Sequence, residues 1–153
     1  MKKYRIFIIL AVVIILLTGC TKNLESPNID TEIKKEVLNM NNVVLNINNV
    51  EYKLNLENND TVKDLLKNLP LSLSMTELNG NEYYAYLDFN LKTNSENVKT
   101  IKTGDVMLFG NNCIVVFYES FNTSYSYTKI GHIDNIDNLK DNLKSGNVEL
   151  KVK

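Results

Sequence analysis

The chain has 153 residues, 44% hydrophobic and 23% charged, which fits one domain with room for a leader or tail. Lys2, Lys3 and Arg5 aside, 14 basic groups face 18 acidic ones, a net of −4 beyond residue 20 that excludes the basic field needed to capture nucleic acid. Two cysteines, one histidine and no tryptophan exclude disulfide scaffolds, zinc clusters and most chemistry built on several imidazoles.

The first element is a leader. Lys2, Lys3 and Arg5 precede an unbroken apolar run of 12 residues, Ile6 to Leu17. A membrane-spanning helix needs about 20 such residues, so the run reads as the core of a secretory signal. Leu17-Thr18-Gly19-Cys20 then resembles the bacterial lipobox: an aliphatic residue, two small ones, and the cysteine that is alkylated by diacylglycerol. The resemblance implies a lipoprotein signal peptide over residues 1–19 and palmitate-type acyl chains on Cys20. The expected location is the extracytoplasmic face of the cell membrane, with the membrane itself as a partner. Each buried CH₂ contributes about 0.8 kcal/mol, so two or more chains anchor stably. The acidic mature chain would be mildly repelled by an anionic leaflet, which leaves the holding to the lipid.

Residues 20–42 read as the lipidated cysteine and a flexible tether: polar, interrupted by Pro27, and without a sustained apolar period. Asp30 could cap a short helix presenting Ile33, Val37 and Met40, but such a helix is marginal alone. As a coil, about 20 residues reach roughly 25 Å.

From residue 43 to 153 the pattern is that of strands. Val43, Leu45 and Ile47 alternate with Val44 and Asn46; Asn48-Asn49 then turns the chain into Val50, Tyr52, Leu54 and Leu56. Two period-2 runs joined by a pair of residues that tolerate positive φ predict a β-hairpin. Val62, Leu65, Leu66 and Leu69 follow at helical spacing, with Thr61 and Asp64 at capping-box positions and Pro70 as a stop. Leu71, Leu73 and Met75 alternate again, Asn79-Gly80 turns, and Tyr83, Ala85, Leu87 and Phe89 continue as a strand. The stretch from Leu91 to Thr103 is polar and is expected to loop over the surface. Val106–Phe109 and Cys113–Tyr118 flank a Gly110-Asn111-Asn112 turn, and Ile114-Val115-Val116-Phe117, apolar on both faces, predicts a strand buried on both sides. A strand over about Tyr125–Ile133, a short helix bearing Leu139 and Leu143, and a last strand through Val148, Leu150 and Val152 complete the chain. The fold class is therefore mainly β: a closed or nearly closed barrel of about eight strands capped by two short helices, since closure removes sheet edges.

The ordered set Asn59-Asp60-Thr61, Leu69-Pro70-Leu71, Gly104-Asp105-Val106, Ile114 to Tyr118 and Ile130-Gly131-His132-Ile133 resembles the small bacterial cyclophilin-like domains. That resemblance implies an eight-stranded barrel capped by helices across residues 43–153. Prolyl isomerisation by cyclophilins depends on an arginine whose guanidinium polarises the prolyl amide. Here Arg5 is the only arginine and lies in the leader, and lysine does not reproduce its planar fork of donors.

Single residues carry the remaining chemistry. His132 reads as a structural histidine in an apolar strand, with a base paired to Ser or Glu as the enzymatic alternative. Cys113 reads as a small buried hydrophobe and, with Cys20 lipidated, has no partner for a disulfide within the chain. Asp134-Asn135-Ile136-Asp137-Asn138 lacks the spacing, Gly and terminal Glu of a calcium loop and reads as a cap for the following helix. No metal or other cofactor is expected. With Tyr83, Ala85, Leu87 and Phe89 facing inward, Tyr84 and Tyr86 face outward beside Glu82 and Asp88. Tyr118 and Glu119, and then Tyr125 and Tyr127 on one strand parity, extend the tyrosine set. Tyrosine offers an apolar face and a hydroxyl at low entropy cost, which suits peptide or sugar recognition, and it also simply packs well across strands.

Three functions follow. The first is a non-catalytic, membrane-tethered domain that binds a peptide, protein segment or small ligand, with Tyr84, Tyr86, Tyr118, Glu119, Tyr125, Tyr127 and His132 as candidate contacts. The second is an enzyme, either a divergent isomerase or a hydrolase using His132. The third is an envelope component working through an exposed apolar patch.

Overall fold

The computed structural model describes residues 42–153. The expected leader, the Cys20 anchor and the tether up to residue 41 lie outside the described residues. Twelve strands and two helices are described: β1 Val43–Ile47, β2 Val50–Leu56, α1 Asp60–Leu66, β3 Leu71–Ser74, β4 Thr76–Leu78, β5 Glu82–Tyr86, β6 Glu96–Asn97, β7 Thr100–Ile101, β8 Asp105–Phe109, β9 Cys113–Phe117, β10 Phe121–Asn122, β11 Ser126–Ile133, α2 Leu139–Leu143 and β12 Asn147–Val152.

The main sheet runs β3-β12-β1-β2-β11-β8-β9-β5-β4, and neighbouring strands pair antiparallel. Its first and last members, β3 and β4, are one run of chain bent at Met75, whose backbone N–H donates to Gly146 O at 2.6 Å. One half of this bent strand pairs with β12 and the other with β5, which joins the two ends of the path. Counted so, the sheet is an eight-stranded barrel, the architecture expected from alternation and turns.

Local chemistry explains the corners. Asn48 and Asn49, at φ 51° and 63°, form the tight β1–β2 hairpin with both central residues in the left-handed region. Gly131 sits where β11 pairs closely with β2: a Cβ there would run into the backbone oxygen of Asn55, so the approach requires glycine. β11 also shifts register against β8 between Lys129 and Gly131, a bulge that bends this long strand around the barrel.

Side chains of alternate parity fill two cores. The barrel interior takes Leu45, Ile47, Leu54, Val106, Leu108, Ile114, Val116 and Ile130, with Val62 and Leu65 from α1 and Leu139 and Leu143 from α2 packed into the same cluster. Ile101, Met107, Cys113, Val115, Phe117 and Tyr127 form a second cluster on the outer face. β9 therefore divides its side chains between both clusters, as its two apolar faces predict.

Four expectations require correction. The stretch 91–103 is more than a surface loop: Leu91 and Ile101 are buried, and it contributes β6, which pairs with β11, and β7, which pairs with β10. Leu91 joins the interior cluster while Val98 and Ile101 cover the outer one, which a short-range period does not reveal. The strand through Tyr83 ends at Tyr86 rather than Phe89. The cap of α1 is Asn59, whose Oδ1 accepts from Val62 N at 2.9 Å, while Thr61 Oγ1 donates to Lys92 O at 2.6 Å instead of closing a capping box. Asn138 stands at the N-cap of α2 with φ 57° and makes no side-chain capping bond, because the chain enters that helix from the left-handed region. Asp134 Oδ1 instead accepts from Asn55 Nδ2, and Asn135 Oδ1 accepts from Asp137 N at 3.0 Å, so these residues shape the preceding turn.

Candidate functional site

Outward side chains of β5 are Glu82, Tyr84 and Tyr86, and those of β9 are Cys113, Val115 and Phe117. Register sets Tyr86 beside Cys113, Tyr84 beside Val115 and Glu82 beside Phe117; across β9, Cys113 faces Phe109 of β8. The central strand carries small side chains at Cys113 and Val115, while the strands on either side carry large rings. A sheet patterned in this way has a low floor between tall walls. The result is a groove of about 320 Å³, with Tyr84 and Tyr86 on one side and Phe109, Tyr125 and Tyr127 on the other, and Phe121 and Leu78 also contributing.

The walls are held by ring contacts. Tyr84 and Tyr86 meet edge to face at 5.8 Å between centroids. Phe109 lies 6.1 Å from Tyr125, edge to face, and 5.5 Å from Tyr127. Phe117 anchors the set from below, 5.6 Å from Tyr127 and 5.8 Å from Phe121. Such pairs fix ring orientation beyond what area burial alone provides. At the rim, Tyr86 is 68% and Tyr125 64% exposed, with Leu78 and Phe109 about 40% exposed, a cluster of large apolar groups in water that marks interaction surfaces.

Besides the tyrosines, Asn79, Asn81 and Glu82 bring polar side chains to the lining of this groove. Glu82 is only 9% exposed. Burial, reinforced by the nearby charge of Glu77, raises its carboxyl pKa above the ordinary 4.5. Asn81, another lining residue, has its Oδ1 buried and without a hydrogen-bond partner among the described residues. The negative field is felt across the floor: burial first, and then the Glu82 charge, push the Cys113 thiol up to about 11 and the Tyr127 hydroxyl up to about 12. Cys113 is thus a buried, protonated thiol, in keeping with its reading as a small hydrophobe.

Of the residues singled out from sequence, the groove gathers Tyr84, Tyr86, Tyr125 and Tyr127. Tyr118 and Glu119 lie elsewhere. One step past β9, Tyr118 has inward parity; it packs on Tyr83 at 5.6 Å, and its hydroxyl donates to Glu77 Oε1 at 3.0 Å. Burial and that carboxylate push its pKa up to about 12. Glu119 accepts from Lys140 Nζ at 2.9 Å, and Lys140 also sits 5.0 Å from the Tyr118 ring centroid. Alternation alone missed Phe109, Phe121, Asn81 and the burial of Glu82. The parity of Glu82 with Tyr84 and Tyr86 is the available signal, and it reads as solvent exposure until the pairing of β5 with β9, which sets Glu82 beside Phe117, is added.

His132 occupies a separate cavity of about 300 Å³ with Glu57, Thr100, Lys102 and Lys129. Its Nδ1 lies 2.9 Å from Asp105 Oδ1, and the other Asp105 oxygen accepts from Lys102 N at 2.8 Å. Asp105 therefore ties the turn before β8 to β11 through the imidazole. Among the described residues, no group of three or more His, Cys, Asp or Glu side chains is disposed to hold a metal ion.

A nearly closed eight-stranded antiparallel barrel, with side chains of two helices packed into its core and an aromatic groove on its outer face, defines the class. The family model described as Cyclophilin-like family matches residues 45–153, and the chain belongs to that family. A search of curated proteins finds no match to the chain.

Proposed function

We propose that this protein is a lipid-anchored binding module: a cyclophilin-like barrel tethered through Cys20 to the extracytoplasmic face of the membrane, whose outer groove holds a peptide, protein segment or small ligand. The carrying observation is the groove between Tyr84, Tyr86, Phe109, Tyr125 and Tyr127, rimmed by exposed rings and floored by Cys113 and Val115. Its volume of about 320 Å³ falls at the small end of known ligand sites, near 300–1,000 Å³. The signal-like start and the lipobox-like Leu17-Thr18-Gly19-Cys20 support the anchor. Arg5 being the only arginine, the barrel itself carries no guanidinium of the kind used in prolyl isomerisation.

The test is a thermal-shift screen of the full chain in detergent, run beside a Tyr86→Ser/Tyr125→Ser variant. Ligands that favour the native state raise its melting temperature. Compounds that stabilise the wild type by several degrees and leave the variant unmoved support the reading. Hits that stabilise both equally place binding elsewhere. Mass spectrometry of the membrane form checks the anchor, which predicts a diacylglyceryl adduct on Cys20 with residues 1–19 removed; an unmodified precursor contradicts it.

A further inference from the structure

We infer that the groove receives the ammonium or guanidinium head of a lysine or arginine side chain carried on a polypeptide segment, with the Glu82 carboxylate and Asn81 Oδ1 as its acceptors and the surrounding rings as its cage. The inference rests on the groove being a binding site, as proposed above, and assigns its ligand chemistry.

Four observations carry it. Glu82 lines the groove nine-tenths buried, and no hydrogen bond or ion pair to its side chain is found among the described residues. A buried carboxylate is costly unless it is paired, and a positive head brought into the groove supplies both charge and N–H donors. Asn81 lines the same groove, and its Oδ1, buried and without a partner among the described residues, is a second acceptor that calls for a donor. The walls are tyrosine and phenylalanine rings, whose faces attract cations placed over them, and none of the described lining residues is basic. Finally, the molecule already treats one of its own cations in this way. Lys140 Nζ is held between the Tyr118 ring, 5.0 Å from its centroid, and the Glu119 carboxylate at 2.9 Å.

The exposed rim argues for a polypeptide rather than a free amine. Tyr86, Tyr125, Phe109 and Leu78 extend apolar surface beyond the groove, more than a small ammonium ion covers and suited to residues flanking an inserted side chain. The head would displace water from Glu82, and the stem would lie along Tyr84 and Tyr86 as long charged side chains do on apolar surface.

The experiment titrates the full chain in detergent micelles with blocked pentapeptides whose central residue is lysine, arginine, glutamine or norleucine between leucines. Free butylammonium is a further arm. The expected result is that the lysine and arginine peptides bind the wild type about tenfold or more tighter than their neutral counterparts, the scale of a charge-assisted bond in a desolvated site. Glu82→Gln should abolish that preference while His132→Ala, outside the groove, retains it. The comparison of charged and neutral peptides on the wild type stands whether or not the variant folds. Equal binding of lysine and norleucine peptides, lost together in Tyr86→Ser, overturns the cationic assignment and leaves the groove as a binding site. Butylammonium binding as tightly as the lysine peptide overturns the polypeptide assignment. Binding of the charged peptides that ignores both Tyr86→Ser and Glu82→Gln overturns the groove reading itself.

Discussion

Glu82 shows how one residue's position on a strand can create a requirement. Its parity points it outward from the barrel, yet the groove walls leave it only 9% exposed, and burial followed by the charge of Glu77 raises its carboxyl pKa above 4.5. The other titratable groups coupled to it are Cys113 and Tyr127, both of which the Glu82 charge pushes upward. A carboxyl that holds its proton more tightly in the folded chain than in the unfolded one lowers stability as pH rises from the ordinary carboxylate value through the folded one. The deficit is then constant above that window. Glu82→Gln, which cannot ionise, is therefore expected to be more stable than the wild type in chemical denaturation at pH 7. The gap should close as pH falls below 4.5. A neutral-pH loss of stability in this variant would show that Glu82 is already paired within the chain.

Among the elements, those read correctly from sequence were those whose signals are local. The Asn48-Asn49 hairpin rests on two residues able to take positive φ, and β9 declared its double burial through an unbroken Ile114–Phe117 run. The stretch 91–103 failed because β6 and β7 are two residues each and their partners, β11 and β10, lie some 20 residues or more away; no period can reveal such pairing. Apolar spacing locates helix α1 and points to Thr61 as its cap, but Asn59 does that work. Asn59 also donates through Nδ2 to Lys129 O at 2.8 Å, so one side chain both caps α1 and docks it against β11. Replacing an N-cap by alanine costs about 1 kcal/mol, and the lost docking bond adds about 1 kcal/mol. Urea unfolding of Asn59→Ala should therefore show a loss of roughly 2 kcal/mol in total. Thr61→Val should leave that cap intact, and an Asn59→Ala variant as stable as the wild type would contradict the assignment.

For the molecule as a whole, the bend at Met75 lets one strand serve both ends of the sheet, and the same closure brings β5 to β9, so that its outward tyrosines meet Phe109 and Tyr127 across the small side chains of the central strand. The tyrosine set was visible in the sequence, but its division was not. Tyr118 and Tyr127 look alike by composition, and only strand parity and pairing send one to the interior cluster and the other to the outer one. His132, prominent as the only imidazole, belongs to a separate pair with Asp105. If the outer groove is where this barrel meets its ligand, the seven tyrosines of residues 42–153 report it. With their rings isotopically labelled, the lysine pentapeptide titrated into the full chain should shift the NMR signals of Tyr84, Tyr86, Tyr125 and Tyr127 and leave Tyr52, Tyr83 and Tyr118 in place. Shifts centred on Tyr52 or Tyr118, with the four groove rings unmoved, would contradict it.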